Sequence, residues 1–301
     1  MSSKQTGSGK RDRGQDTTPP PAPEALPLPV ADSHTHLDMQ DRSVEESLRL
    51  SVSVNVTTLI QVGCDVPSSE WAAQTAAKHP EIHATVALHP NEGPRLVLGD
   101  VDGWSRQQRA PGGSAALEAA IARIDELAAL PEVVGVGETG LDYYRTGPEG
   151  IAAQQESFRR HIEIAKRHGK ALVIHDRDAH EDILRILAEE GPPERVIFHC
   201  FSGDADLAKR CADAGYVLSF AGTLTFANAP QLREAAAVTP AGQLLAETDA
   251  PFLTPVPNRG KSNSPAQVAH TLRALAAIKQ LDVAELCAII ETTGQRLFGP
   301  W

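Results

Sequence analysis

The apolar residues of this chain fall into short runs that alternate with amphipathic segments. The runs are rich in β-branched residues, as is typical of buried strands. Eight of them can be counted, at residues 28–33, 56–63, 83–88, 132–138, 170–175, 195–200, 215–221 and 244–249. Most are followed by a helical pattern, clearest where Phe158, Ile162 and Ala165 recur at i, i+4 and i+7. Eight strand–helix units predict a (β/α)8 TIM barrel, and a doubly wound open sheet is the alternative.

Polar side chains stand at or just past the carboxyl ends of six of these runs. They are His36, His89, Glu138, His175, His199 and Asp249. The carboxyl ends of barrel strands meet on one face, where barrel active sites are built. An open sheet would not bring residues from six separate strands to one centre. The register of the polar residues therefore favours a single-domain α/β barrel.

Three segments depart from the repeat. Residues 1–28 are rich in Ser, Gly, Pro and charge and lack the apolar core of a secretory signal, so we expect a disordered tail before a barrel spanning 29–301. Residues 91–114, a Gly- and Pro-containing stretch, are positioned to form a lid, or equally a surface insertion. Residues 250–265 are too Pro-rich for helix and should form a loop at the edge of the site.

Composition narrows the class of protein. Lys plus Arg total 28 against 39 Asp plus Glu, a net charge of −11, which argues against a protein that coats duplex DNA. A polyanionic substrate would need a local basic cluster or bound cations. The four cysteines show no C-x-x-C pair, which argues against a disulfide framework and a thiolate zinc site. No run is long enough to span a membrane. We expect a cytoplasmic enzyme with no membrane contact and no obligate protein partner.

Imidazole and carboxylate donors indicate a metal centre. His34 and His36, two positions apart, share one face of a strand. With the other strand-end residues they make a set of four histidines and two carboxylates, more than one tetrahedral site uses. The set is His34, His36, Glu138, His175, His199 and Asp249. Donors of this kind suit zinc, manganese or magnesium, and we predict two divalent ions bridged by one carboxylate, Glu138.

Such a pair would activate a water for attack on phosphorus or carbon. Asp249 is a candidate to ligate an ion and to accept the water proton, and His89 to contact the scissile group. Arg145, Arg177 and Arg259 are expected to bind phosphate oxygens. Each residue alone has a plainer interpretation, as a hydrogen-bonded histidine or a solvated arginine. The recurrence of such residues at the ends of several predicted strands is what favours a catalytic site.

Six motifs together resemble the TatD family of metal-dependent deoxyribonucleases, in the amidohydrolase-like barrel superfamily, over residues 29–299. They are Asp-Ser-His34-Thr-His36-Leu-Asp, His89-Pro90, Gly-Glu138-Thr-Gly-Leu-Asp-Tyr-Tyr, Ile-His175-Asp-Arg-Asp-Ala, His199-Cys-Phe-Ser-Gly and Glu-Thr-Asp249-Ala-Pro-Phe-Leu-Thr-Pro. The resemblance implies two cations. One would be held by His34, His36, Glu138 and Asp249, and the other by Glu138, His175 and His199.

The first hypothesis for function is therefore hydrolysis of phosphodiester bonds, as a DNA exonuclease acting on single-stranded or frayed ends with two ions of Mg²⁺, Mn²⁺ or Zn²⁺. A second is hydrolysis of an ester or amide by the same kind of centre, for example as a D-aminoacyl-tRNA deacylase. A third is a catalytically silent binding protein that has kept the barrel. The donor set alone does not separate phosphorus from carbon electrophiles.

Overall fold

A parallel sheet of eight strands forms the centre of the computed structural model, which describes residues 19–99 and 110–301. Each strand pairs in parallel with the next one along the chain. The strands are β1 Val30–Thr35, β2 Val56–Val62, β3 Ile82–Val86, β4 Val133–Asp142, β5 Ala171–Arg177, β6 Val196–Phe198, β7 Val217–Phe220 and β8 Leu244–Ala246. All eight predicted strands are confirmed, with β4 extending past its predicted end.

Helices follow the strands and cover the outside of the sheet. They are α1 Val44–Val52, α2 Val66–Ala76, α3 Glu92–Leu98, α4 Gly113–Ala128, α5 Ile151–His168, α6 His180–Glu190, α7 Ala205–Asp213, α8 Pro230–Val238, α9 Val268–Lys279 and α10 Val283–Phe298. The stripe of Phe158, Ile162 and Ala165 is buried, as its spacing predicts. Within the described ranges, no helix has the length and apolar character needed to cross a lipid bilayer.

The sheet closes between β1 and the segment that follows β8. The backbone N–H of Asp249 donates to the His34 carbonyl at 2.9 Å, and the N–H of His36 donates to the Ala250 carbonyl at 2.8 Å. Thr35 and Ala250 form an isolated parallel bridge. These contacts bring the first and last strands together, so the fold is the predicted TIM barrel and not the open sheet.

Part of the segment assigned to the tail contacts the barrel. Leu26 is only 1% exposed, and its backbone N–H donates to the Val54 carbonyl at 3.1 Å. The Gln267 amide donates to the Pro21 carbonyl at 3.0 Å, and the Arg273 guanidinium donates to the Glu24 carbonyl at 2.9 Å. Residues 19–28 are thus packed against the barrel and are not a disordered tail. The composition of the segment did not indicate this, because the packing depends on one apolar side chain and on backbone carbonyls that accept hydrogen bonds from distant residues. Residues 1–18 lie outside the described ranges.

The two loops differ in how well they match the prediction. Residues 92–98 form α3, in which Glu92 and Pro94 are buried, so this part of the 91–114 segment is a packed helix and not an irregular loop. The segment at 100–109, with its tryptophan and two arginines, lies outside the described ranges. The Pro-rich loop is confirmed, since residues 251–264 contain no helix before the turn at Pro265–Gln267.

Candidate metal centre

His34 and His36 form the first part of the site. Both side chains are buried at the end of β1, and their Nε2 atoms lie 3.3 Å apart. The Nδ1 of His36 lies 3.2 Å from the Val62 carbonyl, which can only accept, so the proton belongs on Nδ1. The lone pair of His36 Nε2 is consequently directed at His34 and at the centre of the barrel mouth.

Glu138 lies between two groups of histidines. Its Oε1 is 2.7 Å from His175 Nδ1, 3.0 Å from His199 Nε2 and 3.5 Å from His89 Nε2. Its Oε2 is 3.5 Å from His34 Nε2 and 3.9 Å from His36 Nε2. Each oxygen of one buried carboxylate therefore faces its own set of imidazoles.

His175 and His199, the histidines that face Oε1 of Glu138, are each contacted by a second carboxylate. The sequence analysis did not single out these two carboxylates. Glu247 is fully buried, and its Oε1 accepts from His199 Nδ1 at 3.0 Å and from the Cys200 N–H at 2.8 Å. Asp142, at the end of β4, lies 3.3 Å from His175 Nε2. A carboxylate on the far nitrogen fixes the ring orientation and makes the near nitrogen a better donor. Glu247 could have been found from the sequence, since it interrupts an apolar run, where a carboxylate is costly to bury without a partner.

Asp249 is placed by the closure of the barrel. Asp32 accepts from the Thr248 N–H at 2.9 Å and from the Thr248 hydroxyl at 2.5 Å, which holds the end of β8 against β1. Asp249 itself has φ of 52°. Its Oδ1 lies 3.3 Å from His36 Nε2 and 3.9 Å from His34 Nε2. Residues more than two hundred positions apart in the chain thus share one cluster.

The pKa values follow from burial and from the mixture of charges. Burial opposes ionisation of Glu138, but the charge of His199 and the hydrogen bonds from His175 and His199 outweigh it and hold the Glu138 pKa well below its usual value. Burial disfavours the charged form of His175, yet Asp142 and Glu138 raise the His175 pKa to about 9. For His89, burial dominates and lowers the pKa to about 3, so this ring is neutral. The site therefore combines ionised carboxylates with imidazoles that hold protons in the absence of a cation.

His89 differs from the other histidines. Its Nδ1 accepts the Asn91 N–H at 3.2 Å, so the ring proton is on Nε2, the nitrogen that faces Glu138. The preceding residue, Leu88, donates its N–H to Nε2 of the buried His161 at 3.0 Å, and this bond anchors the end of the strand. His161 is another residue that the sequence analysis missed. A neutral ring with its N–H toward the centre is a hydrogen-bond donor and not a metal ligand in this tautomer.

Cys64 borders the same cluster. Its Sγ lies 3.8 Å from His36 Nδ1 and 3.8 Å from Glu138 Oε2. Burial raises the Cys64 pKa to about 12, so the thiol is protonated and donates toward the carboxylate. The spacing of the cysteines argued only against paired thiolate ligands. Nothing in the sequence around Cys64 indicated that this single cysteine would border the site. All four cysteines of the chain are free thiols.

The donor atoms fit a divalent cation. Three of them, Nε2 of His34, Nε2 of His36 and Oδ1 of Asp249, lie 3.3 to 3.9 Å from one another. Oε2 of Glu138 lies 3.5 Å from His34 Nε2 and 3.9 Å from His36 Nε2. Tetrahedral ligands bound at about 2.0–2.2 Å lie about 3.3–3.6 Å apart. Among the described residues, other three-donor groups that could hold an ion are His34–Glu138–His199, His36–Cys64–Glu138 and His89–Asp142–His175.

A cavity of about 660 Å³ opens over this cluster. Of the three arginines expected to bind substrate, Arg145 and Arg177 line its wall. The Arg177 guanidinium lies over the Tyr144 ring, 3.9 Å from its centroid, and makes no ion pair with any carboxylate in residues 19–99 and 110–301. Arg259 instead stacks on Phe226 at 4.1 Å, outside the wall that the described residues form.

A TIM barrel with histidines and carboxylates gathered at the carboxyl ends of its strands has the architecture of a metal-dependent hydrolase. The family model described as "TatD related DNase" matches residues 31–299. The chain belongs to the TatD family, and it is a metal-dependent hydrolase of that family.

Relatives agree with this assignment. The chain is 40% identical over 278 residues to a Mycobacterium tuberculosis protein described as an uncharacterized metal-dependent hydrolase TatD, covering 90% of this chain and 98% of that protein. It is 35% identical over 275 residues to the Escherichia coli K12 protein YcfH, an uncharacterized metal-dependent hydrolase, covering 89% and 95%. The crystal structure of YJJV, a TatD homolog from Escherichia coli, shares the fold with a TM-score of 0.77 at 24% identity, covering 90% and 98%.

Proposed function

We propose that this protein is a DNA exonuclease that hydrolyses phosphodiester bonds at single-stranded or frayed ends and uses two divalent cations of Mg²⁺, Mn²⁺ or Zn²⁺. The observation that carries the proposal is the divided environment of Glu138. One of its oxygens faces His175 and His199, and the other faces His34 and His36. A carboxylate shared between two donor groups is what a two-metal hydrolytic site requires.

In this proposal His34, His36, Glu138 and Asp249 would hold one cation, and Glu138, His175 and His199 the other. Cations held there would supply Lewis-acid polarisation of the scissile phosphate and would lower the pKa of the attacking water. Asp249 accepts the proton of that water. Burial opposes its ionisation, but hydrogen bonding to His36 and the charge of His199 keep the Asp249 pKa below its usual value. The carboxylate is thus available as an acceptor at neutral pH.

Residues around the cavity bind and orient the substrate. His89 donates its Nε2–H to an oxygen of the scissile group, since its Nδ1 is already occupied by the Asn91 N–H. Arg177 binds phosphate oxygens from the cavity wall, with Arg145 beside it. Arg259, stacked on Phe226 and not part of the cavity wall formed by the described residues, contacts a phosphate further along the strand.

Two further points support nucleic acid as the substrate. The matching family model is described as a DNase. The net charge of −11 would repel a polyanion over most of the surface, whereas Arg177, without a carboxylate partner among the described residues, supplies a local positive charge. A donor cluster at the base of a cavity suits a chain end better than continuous duplex, because an end can enter and a duplex cannot.

The test is digestion of single-stranded DNA labelled at both ends, in Mg²⁺, Mn²⁺ or Zn²⁺. Wild type is compared with Glu138→Gln and His199→Ala, and with Glu285→Gln on the exposed face of α10 as a matched control. We expect laddering from one end in the wild type and the control. Both site variants should lose at least about 100-fold in kcat/KM, equivalent to about 2.7 kcal/mol of transition-state stabilisation.

Cleavage by the wild type in none of the three ions would refute the nuclease proposal and direct the search to aminoacyl esters and small amides. Cleavage that survives in both Glu138→Gln and His199→Ala would show that a different set of residues acts. Metal content measured on the same samples separates loss of the cation from loss of chemistry.

A further inference from the structure

One exposed aromatic side chain lines the cavity over the metal centre, and a second contacts an arginine of the cavity wall. Phe252 is 51% exposed and Tyr144 is 65% exposed, although most large apolar side chains of the described residues are buried. Phe252 lines the cavity, together with the exposed Met39. Tyr144 carries the Arg177 guanidinium on its ring face. Exposed apolar groups concentrated beside a site indicate contact with a ligand.

The backbone of Phe252 is fixed while its ring stays open. Its N–H donates to the Asp249 carbonyl at 2.9 Å, and its carbonyl accepts from the Asn263 amide at 2.6 Å. The same Asn263 amide donates to the Thr248 carbonyl at 2.9 Å, and Asn263 is buried. The backbone that carries the ring is therefore held by the segment that positions Asp249, so no loop has to become ordered when a ligand stacks on the ring.

The Phe252 ring is close to the metal-binding imidazoles. Its centroid lies 6.4 Å from that of His36, with the planes at 67°. This separation is within the span of a single nucleotide. A phosphate bound beside His36 and Asp249 therefore places its own base, and not a distant one, against Phe252.

The chemistry of the surroundings favours a nucleobase over an aliphatic or peptide ligand. Arg177, in the same cavity wall, has no carboxylate partner in the part of the chain that the structure describes, and such a guanidinium suits an anion. A ligand that is anionic at one point and presents a flat aromatic face at another matches a nucleotide. Bases stack on aromatic side chains with little dependence on sequence, because every base has a π face.

We propose that Phe252 is the stacking surface for the base of the nucleotide being released, so that the enzyme removes nucleotides only from ends whose last base has left the helical stack. This rests on the proposed nuclease function and adds a binding site to it. Stacking on this ring supplies binding energy that a base-less end cannot obtain. Duplex ends are attacked only as fast as they fray.

The experiment compares two oligonucleotides that differ in one group. One has an ordinary terminal nucleotide and the other an abasic tetrahydrofuran residue at that position, each prepared for both polarities. Release of the terminal residue is measured with wild type, Phe252→Ala, the conservative Phe252→Tyr and Val52→Ala, an exposed apolar control on α1 outside the cavity. We expect the wild type and Val52→Ala to show a lower KM for the base-bearing end, by about 5- to 150-fold.

In Phe252→Ala this preference should fall close to one, and Phe252→Tyr should restore it. Equal preference in wild type and Phe252→Ala would overturn the stacking site while leaving the nuclease function intact. Cleavage of neither oligonucleotide by the wild type in any cation would instead refute the nuclease function on which the inference rests. Circular dichroism of each variant confirms that it is folded.

Discussion

Replacing Glu247 with Gln tests how the buried carboxylates around the histidines control metal binding. The change keeps an oxygen that can accept from His199 Nδ1 and from the Cys200 N–H, which lie 3.0 and 2.8 Å from Glu247 Oε1. It removes the negative charge. Glu247 is fully buried, and within residues 19–99 and 110–301 its other oxygen has no hydrogen-bond partner, so little else about the site should change.

The magnitude follows from the kind of hydrogen bond that is lost. A bond to a charged group contributes about 1.5–3 kcal/mol and a neutral one about 0.5–1.5 kcal/mol, so removing the charge should cost about 1–1.5 kcal/mol. This is about a tenfold loss in cation affinity, at the lower end of the 10- to 100-fold range typical of such outer partners. Glu247→Ala, which also leaves both donors unpaired, should cost about 100-fold.

The assay is calorimetric titration of chelator-treated protein with Zn²⁺ or Mn²⁺, at a pH where the fold of each variant is confirmed. Glu285→Gln is the control for a surface charge change. Affinities of Glu247→Gln within twofold of wild type would refute the reasoning, because the carboxylate would then have no influence on the donor strength of His199. Equal losses in the Gln and Ala variants would show that shape matters and charge does not.

Two further predictions concern stability. Gly140 has φ of 134°, and a Cβ there would lie 2.1 Å from the His175 carbonyl oxygen, so Gly140→Ala should destabilise the fold by about 3 kcal/mol or more. A Cβ at Gly242 would meet no atom of the described residues within 4 Å, so Gly242→Ala should change stability by less than about 0.5 kcal/mol. Urea unfolding of both variants measures this, and equal stabilities would contradict the packing at Gly140. The second prediction uses the His175 pKa of about 9, raised above the usual 6.5. In metal-free protein the resulting stabilisation, up to about 3 kcal/mol, is complete below pH 6.5 and is lost as pH rises through 9. Thermal unfolding from pH 6 to 9.5 in chelator should show a falling Tm, and a Tm that rises with pH would contradict the assignment of His175 as protonated.

The barrel was predictable because its signals are local. Each strand needs only a short apolar run, and a stripe such as Phe158, Ile162 and Ala165 needs only the helical period. The donor residues were predictable for a related reason. His36, Glu138 and Asp249 stand at the ends of apolar runs, and parallel strands bring their carboxyl ends to one face of a barrel.

The packing around those donors was not predictable in the same way. Leu26 and the carbonyls near it find partners on distant elements, although the composition of that segment resembles a disordered tail. Cys64 follows β2 and Glu138 lies in β4, and β3 stands between these strands, so only the tertiary structure brings the two side chains within 3.8 Å of each other. Arg259 shares a loop with residues that line the cavity, yet the path of that loop places it on Phe226.

The sequence by itself determined the kind of fold and the chemical type of the site, because both depend on residue type and on periods of two to four residues. Only the tertiary structure decided which atoms meet. His199 and Glu247 are 48 positions apart, and Asp32 and Thr248 are 216 apart, so their contacts depend on the register between strands and on the closure of the barrel. The two faces of Glu138 exist because strands from both sides of the barrel direct imidazoles at one carboxylate, and no local pattern along the chain encodes that convergence.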